Sequence, residues 1–84
     1  MEQFAVRITV VDGVCQDNYH QIGREFIVNE ATPAGMCLGA WQAIAPYLTA
    51  LRYGGNFPWE SEKGVAVVHC PDPNGITFEL RRIE

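Results

Sequence analysis

Residues 4–11 alternate between hydrophobic side chains and small or polar ones. A two-residue period is typical of a strand with one buried face, and Asp12-Gly13 supplies turn residues at its end. Glu25–Val28, which follows Gly23, is predicted to be a second, shorter strand. The buried face of the first strand would comprise Phe4, Val6, Ile8 and Val10.

A helical pattern follows. Thr32-Pro33 is typical of a helix start, because the hydroxyl can cap free N–H groups and proline lacks an N–H that would be unpaired there. We expect the helix to run towards Tyr53, with Gly54-Gly55 as its stop. Pro46 lies inside it and predicts a kink near Ala45, or two abutting helices. One face carries the expected core residues, which are Cys37, Ala40, Trp41, Ile44, Leu48 and Leu51.

Two more strands are predicted after the helix. Val65–His69 is apolar on both faces, which is typical of a strand central to its sheet. Cys70–Gly75 contains two prolines and is predicted to be a rigid turn. In the segment that follows, Ile76, Phe78 and Leu80 alternate with Thr77, Glu79 and Arg81.

These elements predict one α+β domain spanning residues 1–84. Its four-stranded, mainly antiparallel sheet has the element order β-β-α-β-β, with a single proline-kinked helix packed on one face. The other face of the sheet would be exposed to solvent, or covered by another subunit. A chain of 84 residues builds a small core, so we expect a homo-oligomer.

Charge excludes some classes of partner. The net charge is −4 and the six Lys and Arg residues form no cluster, so neither nucleic acid nor an anionic membrane surface is an expected partner. No segment approaches the ~20 apolar residues of a membrane span. The three cysteines form no Cys-x-x-Cys pair and accompany no secretion signal, which indicates thiols in a cytoplasmic protein.

Three cysteines and one histidine form the first candidate site. Cys15 and His20 lie between the first two strands, Cys37 lies in the predicted first helical turn, and Cys70 ends the third strand. A loop, a helix start and a strand end can meet at one edge of a two-layer domain. Thiolate and imidazole bind zinc and, with more sulfur, iron–sulfur clusters. We therefore predict a metal, iron–sulfur or redox-thiol site, with buried cysteines that merely fill the core as the alternative.

A second candidate site is a small-molecule pocket lined by Arg52, Tyr53, Phe57 and Trp59. It would combine flat apolar walls with a cation for carboxylate or phosphate, and a cysteine would act as acid, base or nucleophile. The competing interpretation is a helix cap followed by an aromatic loop that covers the core edge. His69, on the side of its strand shared with Val65 and Val67, is expected to be a core or interface histidine. A non-catalytic accessory subunit is the third hypothesis.

Several short motifs occur together along nearly the whole chain. They are Cys15 with His20 and Gly23–Phe26; Thr32-Pro33 with Gly35 and Cys37; Pro46; Leu51–Gly55; Phe57–Trp59; Cys70–Pro73; and Phe78-Glu79. In this combination the chain resembles a family of short bacterial and archaeal proteins that has no assigned function.

The resemblance implies no particular reaction, but it bears on the first candidate site. The family's motif includes all three cysteines and a histidine near the first, which favours a shared site. One departure is visible: the family usually has an acid after Gly23, and here Arg24 stands in its place. No role for a carboxylate at that position therefore carries over.

Overall fold

The computed structural model describes residues 3–13, 22–69 and 75–83. Cys15, His20 and Cys70 lie outside these ranges. The elements follow the predicted order and confirm the α+β class. They are β1 (Ala5–Asp12), β2 (Glu25–Val28), α1 (Leu38–Arg52), β3 (Val65–His69) and β4 (Thr77–Ile83).

The four strands form one antiparallel sheet in the order β2-β1-β4-β3. The alternation read from the sequence is retained: Ile8 on β1 pairs with Phe26 on β2 and with Leu80 on β4, and all three side chains are buried. Near the end of β1 the register shifts between Val10 and Asp12, so that β1 carries one extra residue there.

The expectation that β3 is central to the sheet is wrong, because β3 lies at an edge beside β4. Val67 is 44% exposed, although Val65 is buried. The loop before β3 folds back along this edge, where a carboxylate oxygen of Glu60 accepts the backbone N–H of Val67 at 3.0 Å. A side chain thus occupies a donor that a further strand would otherwise bind.

The hydrophobic core lies between α1 and one face of the sheet. Ala40, Ile44, Leu48 and Leu51 are buried as predicted, whereas Cys37 and Trp41 are half-buried at its border. The helix remains a single element through Pro46 rather than two abutting helices. In the described part of the chain, no helix has the length and apolar character needed to cross a membrane.

The helix begins later than predicted. Its first residue is Leu38, with Cys37 as an extended N-cap, so Thr32-Pro33 belongs to the preceding segment. Gly35 has a φ of 83°, which no right-handed helix accommodates. Proline followed by glycine two residues later is equally a turn pattern, and here the turn forms instead of a first helical turn.

The end of the helix is as predicted. Arg52 is its last residue, and Gly54 adopts a φ of 89° while its N–H donates to the carbonyl of Leu51. A β4 side chain completes this end: the Arg82 guanidinium donates to the carbonyl oxygens of Leu51 at 3.0 Å and Gly55 at 2.8 Å. Last-turn carbonyls lack intrahelical donors and carry negative partial charge, so a cation satisfies both needs.

Replacing Leu48 with alanine should lower the free energy of unfolding by about 2–5 kcal/mol, because the side chain is buried against the sheet. Denaturant unfolding measures the loss. Leu38→Ala is the matched control on the same helix, since Leu38 is 71% exposed, and should stay within about 0.5 kcal/mol of the parent. Equal effects of the two substitutions would contradict the assigned helix face.

Replacing Arg82 with lysine should cost about 1.5–3 kcal/mol, because one ammonium cannot serve two helix-end carbonyls and Asn56 in the same geometry. Arg52→Lys serves as control: Arg52 also makes two hydrogen bonds, but to the exposed side chains of Gln3 and Asn29. We expect that control to cost less than about 1 kcal/mol. An Arg82→Lys protein as stable as its parent would disprove the capping role.

Candidate functional site

All four strands and the helix contribute to one end of the domain, which we name the cysteine end. β1 finishes there at Asp12 and β4 starts there at Thr77, and these two residues are paired. β3 finishes beside them, because His69 pairs with Thr77, and β2 begins at Glu25, close to the end of β1. The segments that carry Cys15 and Cys70 therefore leave described strands at the same end.

The backbone segments flanking these two cysteines are in close contact. A Cβ placed on Gly13 would lie 2.6 Å from the carbonyl oxygen of Gly75 and 2.7 Å from Cα of Ile76. Gly13 also has a φ of 91°, which L-residues with a side chain rarely adopt. Glycine is thus required where the segment leading to Cys15 passes the segment that follows Cys70.

The start of α1 lies at the same end. A Cβ on Gly35 would lie 2.6 Å from a terminal guanidinium nitrogen of Arg24, the residue just before β2. Arg24 also lies over the ring of Phe26, at 4.7 Å from the ring centre. Helix direction agrees, since the other end of α1 contacts the start of β1, where the N–H of Phe4 donates to the carbonyl of Arg52.

Cys37 is the one residue of the predicted cysteine and histidine set that the structure describes. It is the N-cap of α1, its carbonyl accepts the N–H of Trp41 at 3.1 Å, and its half-buried side chain packs at the border of the core. The site predicted from Cys15, His20, Cys37 and Cys70 lies mostly outside the described residues. Within residues 3–13, 22–69 and 75–83, no group of three or more His, Cys, Asp or Glu side chains is placed to hold a metal ion.

His69 also lies at the cysteine end but faces away from the helix. Its side chain is exposed, and Nδ1 lies 2.9 Å from the hydroxyl oxygen of Thr77 on the neighbouring strand. It shares its face with Val65 and Val67, as expected from the alternation, but the expectation of a core histidine is wrong because the side chain is exposed. The contact with Thr77 occupies one ring nitrogen.

The four residues of the second candidate site separate into two pairs. Arg52 and Tyr53 border a cleft of about 220 Å³ together with Trp41 and residues 28–32. The guanidinium of Arg52 already donates to Gln3 at 2.9 Å and Asn29 at 3.1 Å. It therefore acts as a clamp between the start of β1 and the end of β2 in this cleft.

Phe57 and Trp59 form the other pair. Their rings are stacked with centres 4.9 Å apart, and Phe57 also meets Tyr47 of α1 at 5.5 Å. Phe57 is packed against the core, whereas Trp59 is 66% exposed. Phe57 borders a second cleft, which it lines with Asn56, Pro58 and residues 60–63 but without Trp59. Tyr47 was not predicted to join this aromatic cluster, because its position on the helix lies outside the expected core face.

The sheet face turned away from α1, which we name the open face, carries charged side chains outside both predicted sites. Arg7 and Arg81 are directly paired across β1 and β4. Arg81 binds Glu62 at 2.9 Å and Glu79 at 3.1 Å. Its hydrogen bond to the exposed Glu62, and then its charge, hold the pKa of that carboxyl below its ordinary value.

Arg7 differs from Arg81 in its surroundings. Its Nε atom is buried and has no hydrogen-bond acceptor among the described residues. The strand alternation could have indicated this residue. It places Arg7 in the middle of β1, on the face turned away from the helix.

The chain was compared with family models, with curated proteins and with solved structures, and none of them matches it.

The contact between Gly13 and Gly75 can be tested with two alanine substitutions. Gly13 and Gly23 have nearly the same φ, 91° and 93°, but a Cβ on Gly23 would meet nothing within 4 Å. Gly23→Ala should therefore cost about 1–2 kcal/mol from backbone strain alone, and Gly13→Ala clearly more. Denaturant unfolding measures both. Equal losses would show that the two segments are not in contact.

Proposed function

We propose that the chain is a metal-binding protein whose ligands are Cys15, Cys37, Cys70 and His20, and that the metal is zinc. The observation that carries this proposal is the cysteine end: the described residues flanking all three cysteines lie at the same end of the sheet. Three thiolates and one imidazole are a standard closed ligand set for tetrahedral zinc, whereas iron–sulfur clusters ordinarily take four thiolates.

Two further features support a site of anionic sulfur there. Cys37 precedes the first turn of α1, whose N–H groups lack intrahelical acceptors and favour negative charge. The guanidinium of Arg24 lies beside Gly35, two residues before Cys37. The half-buried position of Cys37 at the core border also differs from that of Ala40 and Ile44, which are fully buried filling residues on the same helix.

We propose further that the protein belongs to the family of short bacterial and archaeal proteins that it resembles, and that it acts in the cytoplasm, where thiols stay reduced. We also propose that it self-associates and binds neither nucleic acid nor membranes, in keeping with a small core and a net charge of −4. A small-molecule ligand would have to occupy the cleft beside Arg52 and Tyr53. Phe57 and Trp59 do not border this cleft.

Metal analysis of protein purified without oxygen tests the site. We expect one zinc per chain and colourless protein. Cobalt substitution should then give the absorption of a thiolate-bound tetrahedral ion. Single replacements of Cys15, Cys37 and Cys70 by serine, and His20→Gln, should each lower metal affinity by at least about tenfold.

His69→Gln is the matched control, because His69 lies at the same end but contacts Thr77. It should keep the zinc. Metal-free parent protein, or zinc retained by every cysteine variant, would refute the metal site. Brown protein that contains iron and sulfide would show that the site holds an iron–sulfur cluster and not zinc. Metal-free protein in which two of the three cysteines form a disulfide, or one forms a mixed disulfide, would indicate redox thiols instead.

A further inference from the structure

The open face is organised into two rows of side chains that run across the strands. The first, which we name the arginine row, follows the register through Ile27, Arg7, Arg81 and Val65. Two residues further along each strand, about 6.8 Å away, lies the second, the acidic row. It comprises Glu25, Thr9, Glu79 and Val67.

Arg7 lacks a partner within the described chain. Its buried Nε has no acceptor, and its neighbour across the sheet is another arginine. A buried donor left unpaired is costly, and like charges directly opposite one another destabilise a sheet. The carboxylates of Glu62 and Glu79 are bound by Arg81 rather than by Arg7. An acceptor from outside the chain would remove this cost.

We propose that a second copy of this chain binds the open face about a two-fold axis that lies between the two sheets and perpendicular to their strands. Such an axis reverses the order of the rows, so that each arginine row lies on the partner's acidic row. An axis parallel to the strands would instead set arginine row on arginine row. Charge complementarity therefore selects the first arrangement.

In this arrangement Arg81 lies over the partner's Glu79, and Arg7 lies over the partner's Thr9, between the acceptors Glu25 and Glu79. The two arginines of the arginine row balance the two glutamates of the acidic row, and Glu62, bound to Arg81, adds one negative charge beside the rows. At the ends of the rows, Ile27 is 59% and Val67 44% exposed, and both would be covered. The edge of β3 is an unsuitable alternative, because Glu60 occupies the N–H of Val67.

Charge reversal tests the pairing. Arg81→Glu and Glu79→Arg should each weaken the dimer by at least about tenfold, because each places like charges together at both symmetry-related contacts. Mixing the two variant proteins should restore a dimer that contains one copy of each. The intrachain pair of Arg81 with Glu79 stays broken in both variants, so recovery on mixing reports the contact between copies alone.

Lys63→Glu, in the exposed turn before β3 and in neither row, is the control and should leave the dimer unchanged. Arg7→Met should weaken the dimer while leaving the monomer at least as stable, because it removes the unpaired donor. Sedimentation measures the masses, and circular dichroism confirms folding of each variant.

The assignment rests on the proposed self-association, and the outcomes separate the two. A monomeric parent protein at micromolar concentration overturns both. A parent oligomer that survives both single reversals, or two dissociated variants that do not recombine, overturns the open face as the interface and leaves self-association standing.

Discussion

The guanidinium of Arg82 joins the two layers of this domain at the end opposite the cysteines. It extends from β4 to the end of α1, where it donates to Leu51 in the last turn and to Gly55 just beyond the helix, and it lies over the ring of Phe4 at 5.3 Å. Last-turn carbonyls carry negative partial charge and lack donors from a further helical turn. The contact therefore fixes where α1 ends against the sheet, and so which way its first turn points.

The direction of α1 determines that its first turn lies at the cysteine end. With its last turn held beside Phe4 and Arg82, the 15-residue helix spans about 22 Å towards the opposite end of the sheet. There Cys37 precedes the first turn of the helix, at the same end of the sheet as the segments that continue to Cys15 and come from Cys70. Gly13 permits the backbone contact with Gly75 that holds two of these segments together. A metal ligand set needs such fixed backbones, since its side chains must converge within a few ångströms.

The sheet has one helix for two faces, and this leaves the open face with half-buried charges. Arg7 and Arg81 belong to the two central strands, where neighbouring side chains on both sides limit access to water. In the loop before β3, Glu60 accepts the N–H of Val67 at the sheet edge. This contact disfavours pairing of a further strand with β3. The open face is the remaining surface on which the proposed dimer would bury more area, and a domain of this size has a small core of its own.

Local periodicity by itself determined the elements and the side of each that is buried, since a two-residue or 3.6-residue repeat depends only on near neighbours. Ile8, Phe78 and Ile44 are buried as the pattern predicts. Gly54 ends the helix through its own positive φ, which is a local property of that residue. The same sequence nominated the cysteines, but not their arrangement. Tertiary structure decided the rest: the turn at Gly35 delays the helix to Leu38, and β3 takes an edge although both its faces are apolar. Strand order and helix direction bring distant segments to one end through long-range contacts, which no local repeat records.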